Sequence, residues 1–288
     1  MGVFQNNLLA GAAAAATSGA TGFYSHQIEK SCRFDSASTS YLSRTQGTPT
    51  NADKMTVSFW VKRGLLGAAM YGMTGSGYSS GGGQYSHITF GGDGNDADKF
   101  YWLQNPQNSS GAGGTSIVLE SNALFRDTGG WTNIILANDS TQSTAADRNK
   151  IYFNGTQYTD WGTAFTASFY SVQNSDFLMN SNGHKVFVGS GGDTSASAYL
   201  PFDGYIAEYV FIDGTQYDST DLGESKNGVW IPKDPSGLTF GNNGFYLKFE
   251  NASDLGNDSS GNNNDLTATN MGTDHQVLDS PTIGAGSS

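Results

Sequence analysis

Aromatic residues stand beside amide and acidic residues at two places in this sequence, around Trp102 and around Trp161. Ring faces combined with a few converging polar groups are typical of small-molecule binding sites, and sugars suit such sites well. The pattern therefore predicts a carbohydrate site made of Tyr101, Trp102, Gln104, Asn105, Tyr158, Asp160 and Trp161. Packing in the core or against another subunit is the alternative for the two tryptophans, because buried tryptophan is a major packing residue.

Oxygen-bearing side chains form two further clusters, one in a glycine-rich stretch near residue 95 and one near residue 258. Calcium takes six to eight oxygen ligands, and carboxylates and amides supply them in proteins. The candidate calcium ligands are Asp93, Asn95, Asp96, Asp98, Asp254 and Asp258. Asp and Asn also form ordinary turns through local hydrogen bonds, and this remains the alternative interpretation of both clusters.

The sequence does not predict an enzyme. The four histidines are scattered and no zinc-ligand spacing is present. The short glycine–serine–glycine segments fall in expected turns and do not resemble a nucleophile elbow before a helix. Cys32 is the only cysteine, so no intramolecular disulfide is possible, and we expect it to be buried.

Composition excludes two classes of partner. The chain has 26 acidic and 14 basic residues and no basic cluster, so nucleic acid is not expected. No run of about 18 apolar residues predicts a membrane span. With 39 glycines and only 14% charged residues, the chain fits many short strands joined by turns.

The order of patterns predicts three parts: an arm over 1–27, a β-sandwich over 28–270 and a tail over 271–288. Period-two alternation marks strands such as 55–62, and Asn154-Gly155 predicts a hairpin turn. The stretch 75–83 is predicted as a glycine-rich turn. Residues 218–224 are predicted as a helical turn capped by Ser219 or Thr220.

The arm is uncharged at its start and rich in alanine, and its large apolar residues are Phe4, Leu8 and Leu9. An isolated helix this short is marginal in water. We therefore expect these three residues to dock on a partner subunit, with a free terminus as the alternative. The arm lacks the positively charged start of a signal peptide.

The motifs 34–42, 57–61, 131–134, 151–155 and 202–208 resemble, in this order, the laminin G-like or concanavalin A-like jelly-roll superfamily. The stretch 245–266 resembles the opening strand and turn of such a domain, yet it stands near the C-terminus. The resemblance therefore implies a circularly permuted all-β sandwich in which 245–249 pairs in the same sandwich as the strands near Phe34 and Phe202. Glycosidases on this fold carry a Glu-x-Asp-x-x-Glu strand, which this sequence lacks.

The stretch 245–265, with 279–282 after it, is also similar to virion proteins of tailed phages of aquatic bacteria. The resemblance implies a non-enzymatic fibre, spike or decoration subunit on the virion surface. Such a subunit would form a homo-oligomer, dock on other virion proteins through its arm and adhere to host surface glycans. A purely architectural subunit without glycan binding and a secreted bacterial carbohydrate-binding module are the alternatives.

Overall fold

The structure is a computed structural model that describes residues 22–67, 70–79, 83–92, 97–105, 117–162 and 170–283. The predicted arm residues Phe4, Leu8 and Leu9 lie outside these ranges. So do three of the predicted calcium ligands, Asp93, Asn95 and Asp96.

The described part of the chain is almost entirely β-structure. Its strands, in chain order, are β1 (Ser31–Phe34), β2 (Tyr41–Thr45), β3 (Lys54–Arg63), β4 (Tyr71–Tyr78), β5 (Gln84–Phe90), β6 (Lys99–Asn105), β7 (Ile117–Leu124), β8 (Thr132–Asp139), β9 (Asn149–Phe153), β10 (Thr156–Tyr158), β11 (Lys185–Val188), β12 (Gly191–Gly192), β13 (Ala198–Tyr199), β14 (Gly204–Asp213), β15 (Gly223–Lys226), β16 (Val229–Pro232), β17 (Phe245–Leu247), β18 (Thr267–Thr269) and β19 (Gln276–Val277). The helices are single turns: α1 (Ala145–Arg148), α2 (Ser219–Leu222) and the 3-10 turns Leu178–Asn180, Pro235–Gly237 and Thr273–His275.

Two antiparallel sheets pack face to face. Sheet 1 has the order β10-β9-β8-β3-β14-β1-β19, with β17 also on β14, and sheet 2 has the order β18-β2-β11-β4-β5-β6-β7. Their facing sides share one core, in which Phe59 and Tyr209 of sheet 1 meet residues such as Trp102 of sheet 2. The Tyr209 hydroxyl also lies 2.7 Å from Thr74 Oγ1 across the interface. The predicted all-β sandwich is confirmed.

The C-terminal strand completes sheet 1, as predicted. β17 pairs with β14 through Tyr209 and Leu247, Val210 and Tyr246, and Phe211 and Phe245. β1 pairs with the first half of the same β14 edge, up to the β-bulge between Ala207 and Val210. β1 and β17, which come from opposite ends of the chain, therefore both pair with the same edge of β14.

The outer side of sheet 1 is covered by the segment between β14 and β17. A second apolar cluster forms there, in which Trp230 of the β15–β16 hairpin joins Trp60 of β3, and the Trp230 indole donates to Asn133 Oδ1 at 3.0 Å. The helical turn α2 is capped by Asp218, whose side chain accepts from Ser219 N, and not by Ser219 or Thr220 as predicted. The earlier residue has the extended backbone that an N-cap requires.

The prediction of a turn over 75–83 is wrong at its start, because Gly75 and Gly77 lie inside strand β4. A Cβ atom on either glycine would overlap the backbone of its neighbours, including residues 191–196 at and beyond the β12–β13 hairpin. The glycines are therefore required where one backbone crosses another, and a turn is not the reason for them. The Asn154-Gly155 hairpin is confirmed, with φ of 48° and 74° at its two central residues.

The sandwich continues past the predicted boundary at residue 270. β19 pairs with β1, and the Thr282 hydroxyl accepts from Ile28 N at 2.9 Å. In the part of the chain that the structure describes, no helix has the length and apolarity needed to cross a membrane.

Candidate functional site

The pleat of β6 separates the residues predicted to bind sugar around position 102. Trp102 is fully buried between the sheets, where its indole donates to Ser86 Oγ at 3.2 Å and stacks near Phe177. Gln104 is also buried, and its amide accepts from Leu178 N at 2.9 Å. The prediction of sugar contact is wrong for both residues in this structure, because side chains alternate between faces and theirs point to the core.

The second predicted cluster is divided in the same way. Tyr158 is buried and its ring meets the half-buried Trp161 edge-on at 4.7 Å, where both pack against the rim of the core. The Tyr158 hydroxyl accepts from Ala123 N at 3.0 Å. Sugar stacking is therefore not supported for Tyr158. Asp160 is exposed and accepts a hydrogen bond from Asn122 Nδ2 at 2.7 Å.

The remaining predicted residues, Tyr101 and Asn105, alternate with Trp102 and Gln104 and so belong to the outer side of sheet 2. There Tyr85, His87 and Tyr101 form a row of rings, with centroids 5.7 Å and 6.0 Å apart. Tyr85 and Asn105 are half-buried, whereas His87 and Tyr101 are buried. We call this surface the ring face and define it by Tyr85, His87, Lys99, Tyr101, Asn105, Glu120, Asn122 and Asp160.

Charged and amide groups line one side of the ring face. Lys99 Nζ lies 2.7 Å from Glu120 Oε1, and the Asn122–Asp160 pair stands beyond it. The backbone places them there, because Asn122 N donates to Asp160 O at 3.1 Å, which joins residue 160 to the edge of β7. Residue 160 thus reaches sheet 2 although it follows β10 of sheet 1.

Two buried groups of the ring face have unused hydrogen-bonding atoms. Both ring nitrogens of His87 and the Oε2 atom of Glu120 have no hydrogen-bond partner in the structure. Burial lowers the pKa of His87 to about 4, so the imidazole is neutral near pH 7 and offers one donor and one acceptor. Leaving such groups unpaired costs about 1–3 kcal/mol each, which favours a polar ligand or water there.

Two of the three predicted calcium ligands that are described, Asp98 and Asp258, have other partners. Asp98 lies 3.0 Å from Arg63 Nη1 and 2.9 Å from Arg126 Nε. Burial raises its pKa, but the N–H of Gly67 and the two guanidinium groups outweigh burial, and the pKa is held below its ordinary value. Two cations already neutralise this carboxylate, so the calcium interpretation is not supported at Asp98.

Asp258 has four donors around its carboxylate. Oδ1 accepts from Tyr246 N and Ser260 N, and Oδ2 accepts from Ser260 Oγ and Asn264 N, all within 2.9 Å. Asp254 is exposed. Among the described residues, no group of three or more His, Cys, Asp or Glu side chains is arranged to hold a metal. Asp258 therefore fixes a turn beside β17, which was the alternative interpretation of this cluster.

Sequence reasoning selected only part of the ring face. His87, Lys99, Glu120 and Asn122 were missed as site residues because their strands had to be paired before these side chains became neighbours. The alternation of Tyr85 and His87 with the core-facing Ser86 and Ile88 was the available signal.

No protein-family profile matches the sequence, and no curated protein matches it. Solved structures do match. A heptameric SAP-like pentraxin from Limulus polyphemus is 11% identical over 68% of this chain and 81% of its own, with a TM-score of 0.43. The CBM40 of a Ruminococcus gnavus IT-sialidase, bound to α2,3-sialyllactose, is 14% identical over 58% and 85%, with a TM-score of 0.38.

Tailspike protein 2 of bacteriophage CBA120 is a further match, 12% identical over 62% of this chain and 24% of its own, with a TM-score of 0.34. Likeness this low assigns no ligand, partner or activity to the chain, because function lies in the site and not in the fold.

Proposed function

We propose that the protein is a non-catalytic β-sandwich that binds glycans at the ring face. The observation that carries the proposal is the row of Tyr85, His87 and Tyr101 beside hydrogen-bonding groups. A pyranose presents C–H groups on its faces and hydroxyls around its rim. Rings and polar side chains in one surface meet both needs.

The half-buried and exposed members of the ring face would make the first contacts. Tyr85 supplies ring surface, Asn105 an amide and Asp160 a carboxylate. His87 and Glu120 lie deeper and have unpaired nitrogen and oxygen atoms. Sugar hydroxyls both donate and accept hydrogen bonds, so they suit the amide of Asn105 and the carboxylate of Asp160.

The outer side of sheet 2 is the better candidate for a glycan site, because the outer side of sheet 1 is covered by another segment of the chain. The segment between β14 and β17 covers sheet 1 with an apolar cluster that includes Trp230. The β12–β13 hairpin covers only part of sheet 2, where Gly191 packs close to His87. The hairpin thus covers the ring face at His87 and leaves Tyr85 and Asn105 half-buried.

We further propose that this sandwich is a structural subunit on the surface of a phage particle, as a fibre, spike or decoration protein. The resemblance of 245–265 and 279–282 to virion proteins of tailed phages supports this role. An architectural subunit without a glycan ligand is the first alternative, and a secreted carbohydrate-binding module is the second.

A glycan array with multivalently displayed full-length protein tests the glycan site. We expect binding to at least one glycan, a loss of about tenfold or more in affinity for Tyr85→Ala and Asp160→Ala, and no change for Tyr205→Ala. Tyr205 is a matched half-buried tyrosine on sheet 1. An array without any bound glycan would favour the architectural alternative, and unchanged binding by Tyr85→Ala would place the site elsewhere.

A further inference from the structure

A small cleft lies on the outer side of sheet 1, where the first described residues pass β17 and the bulge of β14. Its volume is about 80 Å³. Because about 10–15 Å³ on this measure already holds one water molecule, the cleft has room for a small polar group. The residues that line it include His26, Glu29, Glu208, Tyr246, Lys248 and Glu250.

Glu208 stands at the base of this cleft in an unusual conformation. It lies within the bulge that divides β14, with a φ of 50°, which few residues with side chains adopt. Only 5% of the residue is exposed. Backbone strain of this kind persists where surrounding structure enforces it, and it concentrates at binding sites.

The two oxygens of the Glu208 carboxylate differ. Oε1 accepts from the Tyr246 hydroxyl at 2.8 Å and lies 2.6 Å from His26 Nε2. Oε2 is buried and has no hydrogen-bond partner in the structure. Burial raises the pKa of Glu208 despite its bonds to His26 and Tyr246, because the charged form lacks a donor at Oε2, so the cleft favours an occupant that brings an N–H or O–H group.

The charged residues around the cleft favour a positively charged occupant. Three carboxylates line it, from Glu29, Glu208 and Glu250, against the one lysine ammonium of Lys248 and the imidazole of His26. Lys248 Nζ lies 4.0 Å from Glu250 Oε1 and 5.5 Å from the centre of the Tyr246 ring, so it is directed toward the rim.

We propose that this cleft binds a primary ammonium group, which donates an N–H to Glu208 Oε2. The ammonium is compact and carries three donors, which suits a small cleft with an unpaired acceptor and acidic walls. A metal ion is not favoured, since no three ligating side chains converge among the described residues. The site is on the opposite sheet from the ring face, so it stands or fails independently of glycan binding.

The test is a titration of the full-length protein with ethylammonium chloride, followed by the NMR signal of the His26 ring. Sodium chloride at equal ionic strength and ethanol serve as the ionic and neutral controls. We expect saturable binding with a dissociation constant of about 1 mM or weaker, because a ligand with so few atoms cannot bind tightly. Neither control should saturate.

Three variants locate the binding. Glu208→Gln keeps the shape but removes the charge and should weaken binding about tenfold or more. Glu120→Gln, a buried glutamate of sheet 2 that also has one unpaired oxygen, should leave binding unchanged. Lys248→Met removes the cation of the cleft and should tighten binding, because like charges at short range repel.

Three results would overturn the proposal: no saturation by ethylammonium, an equal response to ethanol, or undiminished binding in folded Glu208→Gln. The first two would mean that the cleft holds only water. If Glu208→Gln does not fold, Lys248→Met decides the question, and binding that is unchanged or weaker in that variant would reject the site.

Discussion

Replacing Phe245 with alanine should destabilise the whole sandwich, although the residue lies far along the chain from the first strands. Phe245 is fully buried on β17 and its ring is nearly parallel to two neighbours of β14. The centroids lie 5.7 Å from Tyr209 and 5.2 Å from Phe211. Tyr209 in turn stacks on Phe59 of β3 at 5.5 Å, so the ring stack crosses three strands.

The expected loss follows from the size and burial of the ring. Phe→Ala substitutions in a core remove about 3–5 kcal/mol of unfolding free energy, because transfer and cavity costs add. For a domain of this size, each kcal/mol lowers the melting temperature by about 2–4 °C. The Phe245→Ala variant should therefore melt about 6–20 °C below the wild type.

Differential scanning calorimetry is the appropriate assay, because it reports whether one cooperative transition remains. Leu278→Ala is the control, since Leu278 is also C-terminal but 54% exposed, and its change should stay within about 0.5 kcal/mol. If Phe245→Ala melts within about 2 °C of the wild type, β17 is not part of the cooperative unit, and the closure of the sandwich by the C-terminal strand is wrong.

Three further changes test other contacts. Burial lowers the pKa of His26, but the hydrogen bond and charge of Glu208 outweigh burial and raise the pKa above 6.5. The protonated imidazole therefore stabilises the fold at low pH, and His26→Gln should cost more unfolding free energy at about pH 6 than at about pH 9. Equal costs at the two pH values in urea melts would contradict this. Asp98→Asn leaves a buried arginine without its carboxylate and should cost about 3–5 kcal/mol in the same assay, so a cost near zero would exclude a structural ion pair. Gly75→Ala should displace the β12–β13 hairpin and speed its proteolysis. Gly237→Ala should not, because a Cβ at that position enters open space. Equal cleavage rates in the two variants would contradict the close packing of the hairpin on Gly75.

Local chemistry was sufficient to predict most strands and some turns. Residues 55–62 alternate strictly, and they form the greater part of β3. Asn154-Gly155 adopts positive φ at both positions, as the hairpin turn requires. The same local rules misassigned Gly75 and Gly77, because glycine is needed both in turns and under a crossing backbone, and only the position of the hairpin distinguishes the two.

The predicted sites were assembled from residues that are close in sequence, and the sheet places many of those sequence neighbours on opposite faces. Tyr101 and Trp102 are adjacent in sequence, yet one belongs to the ring face and the other to the core, since successive side chains of a strand point to opposite sides. Asp98 was predicted to bind calcium because it stands among other oxygen-bearing residues in the sequence, but folding brings it to Arg63, which is 35 residues away.

The sequence by itself determined the all-β class, the alternation of side chains along strands such as 55–62 and the excess of negative charge, because these follow from composition and from periodicity within single strands. Tertiary structure alone decided which strands lie side by side. It placed β17 beside β14, joined His87 to Tyr101 across two strands, and brought His26 to the Glu208 bulge. Those contacts link residues distant in the chain, and their free energy exists only once the intervening segments have folded and the chain entropy has been lost.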